Sequence, residues 1–370
     1  MSSASRATAT GFGRFFLPGP TEVLPEILAA QTRPMIGHRG KSMEQLIAGM
    51  MPGLQRIFRT SRPVYLSASS ATGLMEAAVR NCGGRRILAL VNGAFSDRFF
   101  KIAQANGFPA DALEVPMGQV HLPELVQGAL RRVRYDAITV VHSETSTGAL
   151  NPIAELAQVA HEAGEVMLLV DSVTSLAGAP VETDAWDLDF VLTGSQKALA
   201  LPPGLALGVA HPRALERARH APNRGVYFDL VEFESYIRKN QTPNTPALSL
   251  INALAVQVSR IEAETIEGRW ARHRAMAERT WRWVEETDGR GLEVGVLAPA
   301  GYRSPTVTCI TLPPGRKGSE VNEQMKARGF TISAGYGALK DATIRIGHMG
   351  DHTVAELELL LDALTEVLTA

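Results

Sequence analysis

Short apolar runs without polar interruptions recur along the first two-thirds of the chain, and stretches with helical spacing separate them. The runs lie at residues 64–67, 87–91, 137–141, 166–170, 190–192 and 205–209. Runs that are apolar at nearly every position are typical of strands buried on both faces of a mainly parallel sheet. The pattern therefore predicts an α/β domain whose helices cover the sheet and whose ligands bind beyond the carboxyl ends of the strands.

The remaining segments differ in composition and periodicity. The first residues are rich in Ser, Ala and Thr without an apolar core, which predicts a disordered tail and not a secretory signal. A long amphipathic pattern from about Pro246 to Thr287 is expected to connect two domains. We therefore predict a tail over residues 1–14, a large domain over 15–255 and a smaller C-terminal α+β domain over 256–370.

Composition limits the classes of partner and compartment. Lys and Arg number 37 and Asp and Glu 38, a balance that argues against a nucleic-acid or membrane-surface partner. Cys82 and Cys309 are too few for a disulfide framework and suit a reducing compartment. No apolar run approaches the ~18 residues of a membrane span. We expect a cytoplasmic protein with no membrane or nucleic-acid partner.

Two charged residues follow apolar strands. Lys197 lies just beyond the strand at 190–192, where burial would lower its pKa and favour Schiff-base chemistry, although a solvated loop lysine is the alternative. Asp171 directly follows the strand at 166–170, where a buried carboxylate needs a cationic or hydrogen-bonding partner. A protonated pyridine nitrogen, a nearby arginine and a helix N-terminus all satisfy that need.

Other strand ends carry weaker signals. The turn at 67–73 is rich in Ser and Ala and leads into a predicted helix, as in many phosphate sites but also in many ordinary turns. Phe95 suits stacking on a flat ring or packing inward. Residues 142–148 supply hydroxyls for a ring oxygen or a phosphate. His142 and Glu144 lack a third ligand nearby, so no metal is expected.

Taken together, these motifs resemble the class V aminotransferases of fold type I over nearly the whole chain, from about residue 15 onward. One group of motifs is similar to alanine–glyoxylate and serine–pyruvate aminotransferases, and another to 2-aminoethylphosphonate–pyruvate aminotransferases. The segments that carry the resemblance are Pro18-Gly19-Pro20, His142 to Gly148 with Asn151-Pro152, Asp171-Ser172-Val173, Gly194 to Leu199 with Pro202-Pro203-Gly204, and Arg345 to Gly350.

The resemblance implies pyridoxal 5′-phosphate (PLP) as cofactor. Lys197 would form the Schiff base and Asp171 would pair with the pyridinium nitrogen. Phe95 would stack on one face of the ring, Val173 would pack against the other, and Thr145 would hydrogen-bond near the ring hydroxyl.

The resemblance also assigns the phosphate and substrate contacts. Arg345 would clamp the substrate carboxylate, with a structural salt bridge as the alternative, and Gly19 would lie at the substrate. Relatives usually carry glycines in the phosphate cup, so the donors remain open in this chain. The candidates for the phosphate are Ser70, Ala71, Thr72 and Gln196.

In the family, the site is completed across a homodimer interface. The segment 240–246 matches the part that reaches the neighbour's cofactor phosphate, and Thr245 is the first candidate within it. His38 and Arg39 are expected to face the partner's substrate. The resemblance thus implies a homodimer with shared active sites.

The implied activity is transfer of an amino group from alanine or serine to glyoxylate or pyruvate. A phosphonate or phosphorylated donor, 2-aminoethylphosphonate or phosphoserine, is the alternative and needs extra cations; the candidates are His38, Arg39, Arg224 and Arg303. A PLP-dependent lyase of the cysteine desulfurase type needs a mobile thiol, which neither cysteine is expected to supply. A non-catalytic PLP-binding module is a further alternative.

Overall fold

The computed structural model describes residues 13–370. In that part of the chain the α-helices, labelled α1 to α12 in chain order, are Pro25–Ala30, Lys41–Phe58, Ala71–Cys82, Ala94–Ala105, Pro123–Arg132, Ile153–Glu162, Pro212–His220, Leu230–Ile237, Leu248–Glu264, Ile266–Thr287, Gly318–Ala327 and Val354–Thr369. The strands, labelled β1 to β13, are Tyr65–Ser67, Ile87–Val91, Ala110–Glu114, Ala137–Val141, Ser143–Glu144, Ala149–Leu150, Met167–Asp171, Phe190–Gly194, Ala206–Ala210, Gly295–Val296, Thr308–Thr311, Ser333–Ala334 and Thr343–Ile346.

The predicted mainly parallel sheet is confirmed. In the described part of the chain seven strands lie in the order β1-β9-β8-β7-β4-β2-β3, and β9 alone runs opposite to the other six. Strands β4, β7 and β8 are buried at every position, which explains their continuous apolar sequences. Val141 pairs with Asp171, so the carboxyl ends of β4 and β7 meet at one edge of the sheet.

Strand β3 at the sheet edge was not predicted. Its sequence alternates small, charged and apolar residues, and each position remains at least partly exposed. Pairing with β2 holds it in the sheet, because the local pattern lacks a continuous apolar run.

The long amphipathic pattern from Pro246 to Thr287 corresponds to two helices. The chain breaks at Thr265, which has φ +67° and ψ 150° and separates α9 from α10. The Thr265 side chain accepts a hydrogen bond from the backbone N–H of Gly268 and so caps α10. The segment 212–247, whose proline and asparagine clusters suggest irregular structure from the sequence alone, contains helices α7 and α8.

Two large hydrophobic cores, with a small third cluster, gather the buried apolar side chains of residues 13–370. The first gathers buried residues from Ile27 to Ile266, with Val307 and Met349 added, and the second gathers Phe16 with residues between 276 and 368. The second core lies around an antiparallel sheet in the order β10-β11-β13-β12. The boundary expected at residues 255/256 falls inside α9, whose later residues Val258 and Ile261 still belong to the first core.

The N-terminal segment connects both cores to the site. Residues 1–12 of the predicted tail lie outside the described part of the chain. The backbone N–H groups of Gly13 and Arg14 donate to the Glu22 carboxylate at 2.8 and 3.3 Å, so these two residues belong to the fold. Phe16 is buried in the second core, and the next residues run towards the carboxyl edge of the large sheet.

Candidate active site

Lys197 follows β8 in a tight turn, where Ala200 N–H donates to the Lys197 carbonyl at 2.8 Å. Only 6% of the lysine is exposed. Burial lowers the pKa of Lys197 to about 8, although the nearby Asp171 carboxylate opposes this shift. The Nζ atom donates a hydrogen bond to the carbonyl of Pro18. A lysine with these properties is an available nucleophile near neutral pH.

Asp171 is the last residue of β7 and is 3% exposed. Burial raises the pKa of Asp171 to about 7, against a hydrogen bond of 2.8 Å from the Val173 N–H and the charges of Lys197 and Arg98. Within residues 13–370 this carboxylate forms no ion pair. A buried carboxyl group without an ion pair is a suitable partner for a cationic hydrogen-bond donor, and a protonated ring nitrogen is such a donor.

Phe95 faces the lysine from the first turn of α4. Its ring centroid lies 5.8 Å from Lys197 Nζ and 5.8 Å from the ring of Tyr336. The guanidinium of Arg98, one turn further along α4, lies 4.9 Å from the same centroid. An aromatic ring placed beside a reactive amine suits stacking on a flat cofactor.

Glu144 fixes the start of α4 and was missed as a functional residue from the sequence. It is fully buried and accepts hydrogen bonds from the Ser96 N–H at 2.9 Å, the Phe95 N–H at 3.2 Å and the Ser146 hydroxyl at 2.6 Å. A carboxylate at a helix N-terminus is stabilised by the free N–H groups there. Its charge adds to burial in raising the pKa of Asp171.

Arg345 lies on β13 and is 6% exposed. Its guanidinium donates to the Ala334 carbonyl at 3.2 Å, the Thr145 carbonyl at 3.3 Å and the Ser333 hydroxyl at 2.8 Å. A guanidinium has five N–H donors, and these bonds leave one on each terminal nitrogen, enough for a bidentate carboxylate. Within the described chain Arg345 forms no salt bridge, the alternative considered from the sequence.

Thr145 links the arginine to the large domain. Its carbonyl accepts the Arg345 hydrogen bond, and its hydroxyl lies 2.5 Å from the hydroxyl of Thr174. Thr174 lies three residues beyond Asp171, so the structure brings Thr145 to the edge of the sheet that carries the carboxylate. Its role towards a ring hydroxyl stays a prediction.

The turn proposed for phosphate binding precedes α3. Helix α3 begins at Ala71, and the side chain of Ser70, its N-cap residue, makes no capping hydrogen bond to this helix. A Cβ on Gly194 would lie 3.3 Å from the Ala71 Cβ and 2.7 Å from Gln196 Oε1, so Ala71 and Gln196 are neighbours. Thr72 follows in the first turn. The helix N-terminus and Gln196 fit a phosphate group, although the individual donors stay predictions.

Gly19 and Val173 lie beside the two charged residues. Gly19 has φ +110°, and a Cβ there would overlap the Lys197 side chain, so both its conformation and its neighbour require glycine. Val173 is half-buried next to Asp171 and packs against the first core.

The residues expected at a subunit interface lie elsewhere. Thr245 is exposed and lines a small cavity with Ala68 and Tyr227. Arg39 donates to the carbonyl of Pro243 at 2.8 Å. In the described chain no hydrogen bond or ring contact joins Thr245, Arg39 or the half-buried His38 to the lysine of the same subunit.

The chemistry of this site fits PLP: an amine of lowered pKa, a buried acid, an aromatic ring and a helix N-terminus lie together at the carboxyl edge of the sheet. Lys197 and Asp171 have pKa values displaced in opposite directions by the same burial. Such displacements concentrate at reactive sites.

The chain is similar to known aminotransferases. The family model "Aminotransferase class-V" matches residues 39–360. An uncharacterized aminotransferase of Methanocaldococcus jannaschii is 37% identical, covering 90% of this chain and 87% of its own length. A serine–glyoxylate aminotransferase of Arabidopsis thaliana is 32% identical, covering 95% and 88%. The crystal structure of an aspartate aminotransferase from Thermus thermophilus superposes with a TM-score of 0.87 at 32% identity, covering 96% and 99%.

Proposed function

The chain belongs to the class V aminotransferases, and we propose that it transfers the amino group of alanine or serine to glyoxylate or pyruvate. PLP, the cofactor of this family, supplies the electron sink for the transfer. The observation that carries the proposal is the buried Lys197, whose Nζ lies beside Phe95 and close enough to Asp171 for the carboxylate to affect its pKa.

Each side chain then has a role. Lys197 Nζ is mostly neutral above a pH of about 8, so it would hold the cofactor and would be the base nearest to Cα of the amino donor. Asp171 would pair with the ring nitrogen and keep it protonated, because a cation next to the carboxylate favours the ionised acid. Glu144 keeps the backbone of Phe95 in place.

Arg345 orients the donor. Its two remaining terminal N–H groups suit the α-carboxylate that all amino and 2-oxo acid substrates share. The Pro18 carbonyl and Gly19 lie directly against Lys197.

A phosphorylated or phosphonate donor needs further cations, and three of the four candidates are engaged elsewhere. Arg224 pairs with Asp229 at 2.6 Å, and Arg303 lies 3.8 Å from Glu285. Arg39 is bonded to backbone carbonyls. These contacts support a donor whose only anionic group is its α-carboxylate.

A lyase that uses a cysteine thiolate is disfavoured by the same reasoning. Cys82 and Cys309 are fully buried, and burial raises the pKa of the two thiols to about 12 and about 11. Such thiols are neither ionised nor accessible at neutral pH.

We further propose a homodimer with shared active sites, in which Thr245 of the partner subunit reaches the cofactor phosphate. Thr245 is exposed, and Arg39 donates a hydrogen bond to the carbonyl of Pro243 in the same loop. Exposed apolar side chains, Met35 at 78% and Val226 at 85%, support a covered surface. Light scattering should give twice the chain mass; a monomer that retains full turnover would contradict shared sites.

A cytoplasmic location is proposed on the two unpaired cysteines, both buried. Among the described residues, no helix is both long and apolar enough to cross a membrane. Fractionation of cells that produce the protein tests the location.

The substrate proposal is tested by half-reactions of the purified holoenzyme. The absorption band of the bound cofactor should convert rapidly with alanine and serine, and slowly with aspartate, 2-aminoethylphosphonate and phosphoserine. Added glyoxylate or pyruvate should restore the band. Conversion only with a phosphorylated or phosphonate donor would overturn the proposed substrate class, and conversion with none would overturn the activity. The Lys197→Ala variant is the matched control and should show no band that responds to donors.

A further inference from the structure

Arg269 on α10 is one of the largest fully buried side chains, with 1% of its surface exposed. Its Nη1 lies 2.9 Å from the Asp351 carboxylate and 3.0 Å from the Glu264 carboxylate. Its Nη2 donates to the carbonyl of Ala198 at 2.7 Å. Burial of a guanidinium is costly unless such partners surround it. Packing alone therefore does not explain why a charged side chain occupies this buried position.

The Asp351 side of this cluster is held firmly. Asp351 also accepts a hydrogen bond from Gln257 at 3.1 Å. The adjoining Gly350 donates its N–H to His273 at 3.0 Å, and its carbonyl accepts from Arg272 at 3.0 Å. The loop that follows β13 is thereby fixed on α10, which places Arg269 at the contact between the two cores.

The Ala198 side leads directly to the reacting lysine. Ala198 follows Lys197 in the turn after β8, and two backbone hydrogen bonds close this turn, from Ala200 to Lys197 at 2.8 Å and from Leu201 to Ser195 at 3.1 Å. Neither bond uses the Ala198 carbonyl. A charged donor on that carbonyl makes a stronger hydrogen bond than a neutral one and restrains the peptide plane next to Lys197.

We propose that Arg269 is a positioning residue for Lys197: it fixes the carbonyl of Ala198, and hence the direction in which the lysine side chain leaves the turn, while Asp351 anchors the guanidinium. The inference rests on the proposed function, in which Lys197 is the reacting lysine. The Arg269 side chain bonds to Glu264, Asp351 and the Ala198 carbonyl, so it acts on Lys197 through the turn.

The contacts of Arg269 with Asp351 and with Ala198 can be separated by mutation. Asp351→Asn removes the anchoring charge but leaves the Ala198 hydrogen bond. Arg269→Met removes both contacts and leaves the Asp351 carboxylate without its cation. The double variant removes both buried charges together, and Glu264 keeps its ion pair with Arg272 at 2.7 Å. The double variant therefore tests the loss of the Ala198 contact without an orphaned charge.

Three measurements distinguish positioning from mere stability: the unfolding temperature, amide hydrogen exchange of residues 195–201 in the holoenzyme, and kcat and KM with alanine. Asp351→Asn should lower the unfolding temperature but leave the exchange rates and kcat close to wild type. The double variant should recover stability relative to Arg269→Met. It should still exchange roughly tenfold faster over 195–201 and turn over roughly tenfold more slowly, with KM changed less than about twofold.

Wild-type exchange and wild-type kcat in the double variant would overturn the inference and leave Arg269 with a structural role. If Arg269→Met fails to fold, the double variant still decides the question. If borohydride reduction fixes the cofactor on a lysine other than Lys197, the proposed function is refuted as well. If the cofactor is fixed on Lys197 but the double variant exchanges its amide hydrogens over 195–201 at the wild-type rate, this inference alone is refuted.

Discussion

The Asp171→Asn substitution separates the effect of the buried carboxylate on the free energy of unfolding from its role in turnover. Burial raises the pKa of Asp171 from 3.8 to about 7. A shift of about 3 units corresponds to roughly 4 kcal/mol, at about 1.4 kcal/mol per unit. Since Asp171 is 3% exposed, solvent screens little of this effect.

The sign follows from proton binding. Between pH values of about 4 and 7 the folded apo-protein keeps the Asp171 proton that the unfolded chain has lost. The stability that the protonated acid contributes is present below about pH 4 and disappears as the pH rises through about 7. Asparagine resembles the protonated acid at every pH, and its carbonyl can still accept the hydrogen bond from Val173.

Urea unfolding of the cofactor-free wild type and of Asp171→Asn, measured from about pH 4 to about pH 8, tests this reasoning. The stability difference should move by roughly 4 kcal/mol in favour of asparagine across that range. Any pH-independent cost of the amide cancels in this comparison. A difference that stays constant with pH would refute the raised pKa. The loaded variant should have lost nearly all turnover, because its amide cannot hold a protonated ring nitrogen.

The remaining predictions concern three other charged groups. Cofactor uptake by the apo-protein should accelerate as the pH rises through about 8, because burial lowers the pKa of Lys197 from 10.5; acceleration only near pH 10.5 would contradict its burial. Glu144→Gln should shift that dependence to lower pH, because the Glu144 charge raises the pKa of Lys197 against the dominant effect of burial. The exposed Glu155→Gln is the matched control, and equal profiles for both variants would count against a specific effect of Glu144. Arg345→Lys should raise KM for alanine roughly tenfold without weakening cofactor binding, since a point charge replaces a bidentate pair; weaker cofactor binding with normal KM would remove Arg345 from the substrate.

Sequence patterning singled out Asp171 and Lys197 because the large sheet obeys a local rule. Strands β7 and β8 are buried throughout and begin with continuous apolar runs, so the charged residues that follow these runs, Asp171 at the end of β7 and Lys197 just beyond β8, stand out and share one edge of the sheet. Arg345 comes from the other core, and only the family resemblance connected it with this edge.

The residues that sequence reasoning missed depend on distant contacts. Glu144 accepts from backbone groups 48 and 49 positions away, and no side-chain pattern encodes those donors. Arg269 meets Ala198 and Asp351 across 71 and 82 positions. Its charge within an amphipathic helix resembles that of an ordinary exposed residue.

Secondary structure was missed where local signals were absent. The break between α9 and α10 lies at Thr265, with no glycine or proline beside it, so the apolar periodicity runs through. Strand β3 owes its conformation to pairing with β2 and not to its own composition.

The most direct test is borohydride reduction of the holoenzyme followed by peptide mapping. Reduction should fix the cofactor on the peptide that contains Lys197, and the Lys197→Ala protein should carry no label. A label on a different lysine, or none at all in a protein that still transaminates, would contradict the assignment of Lys197 as the reacting amine.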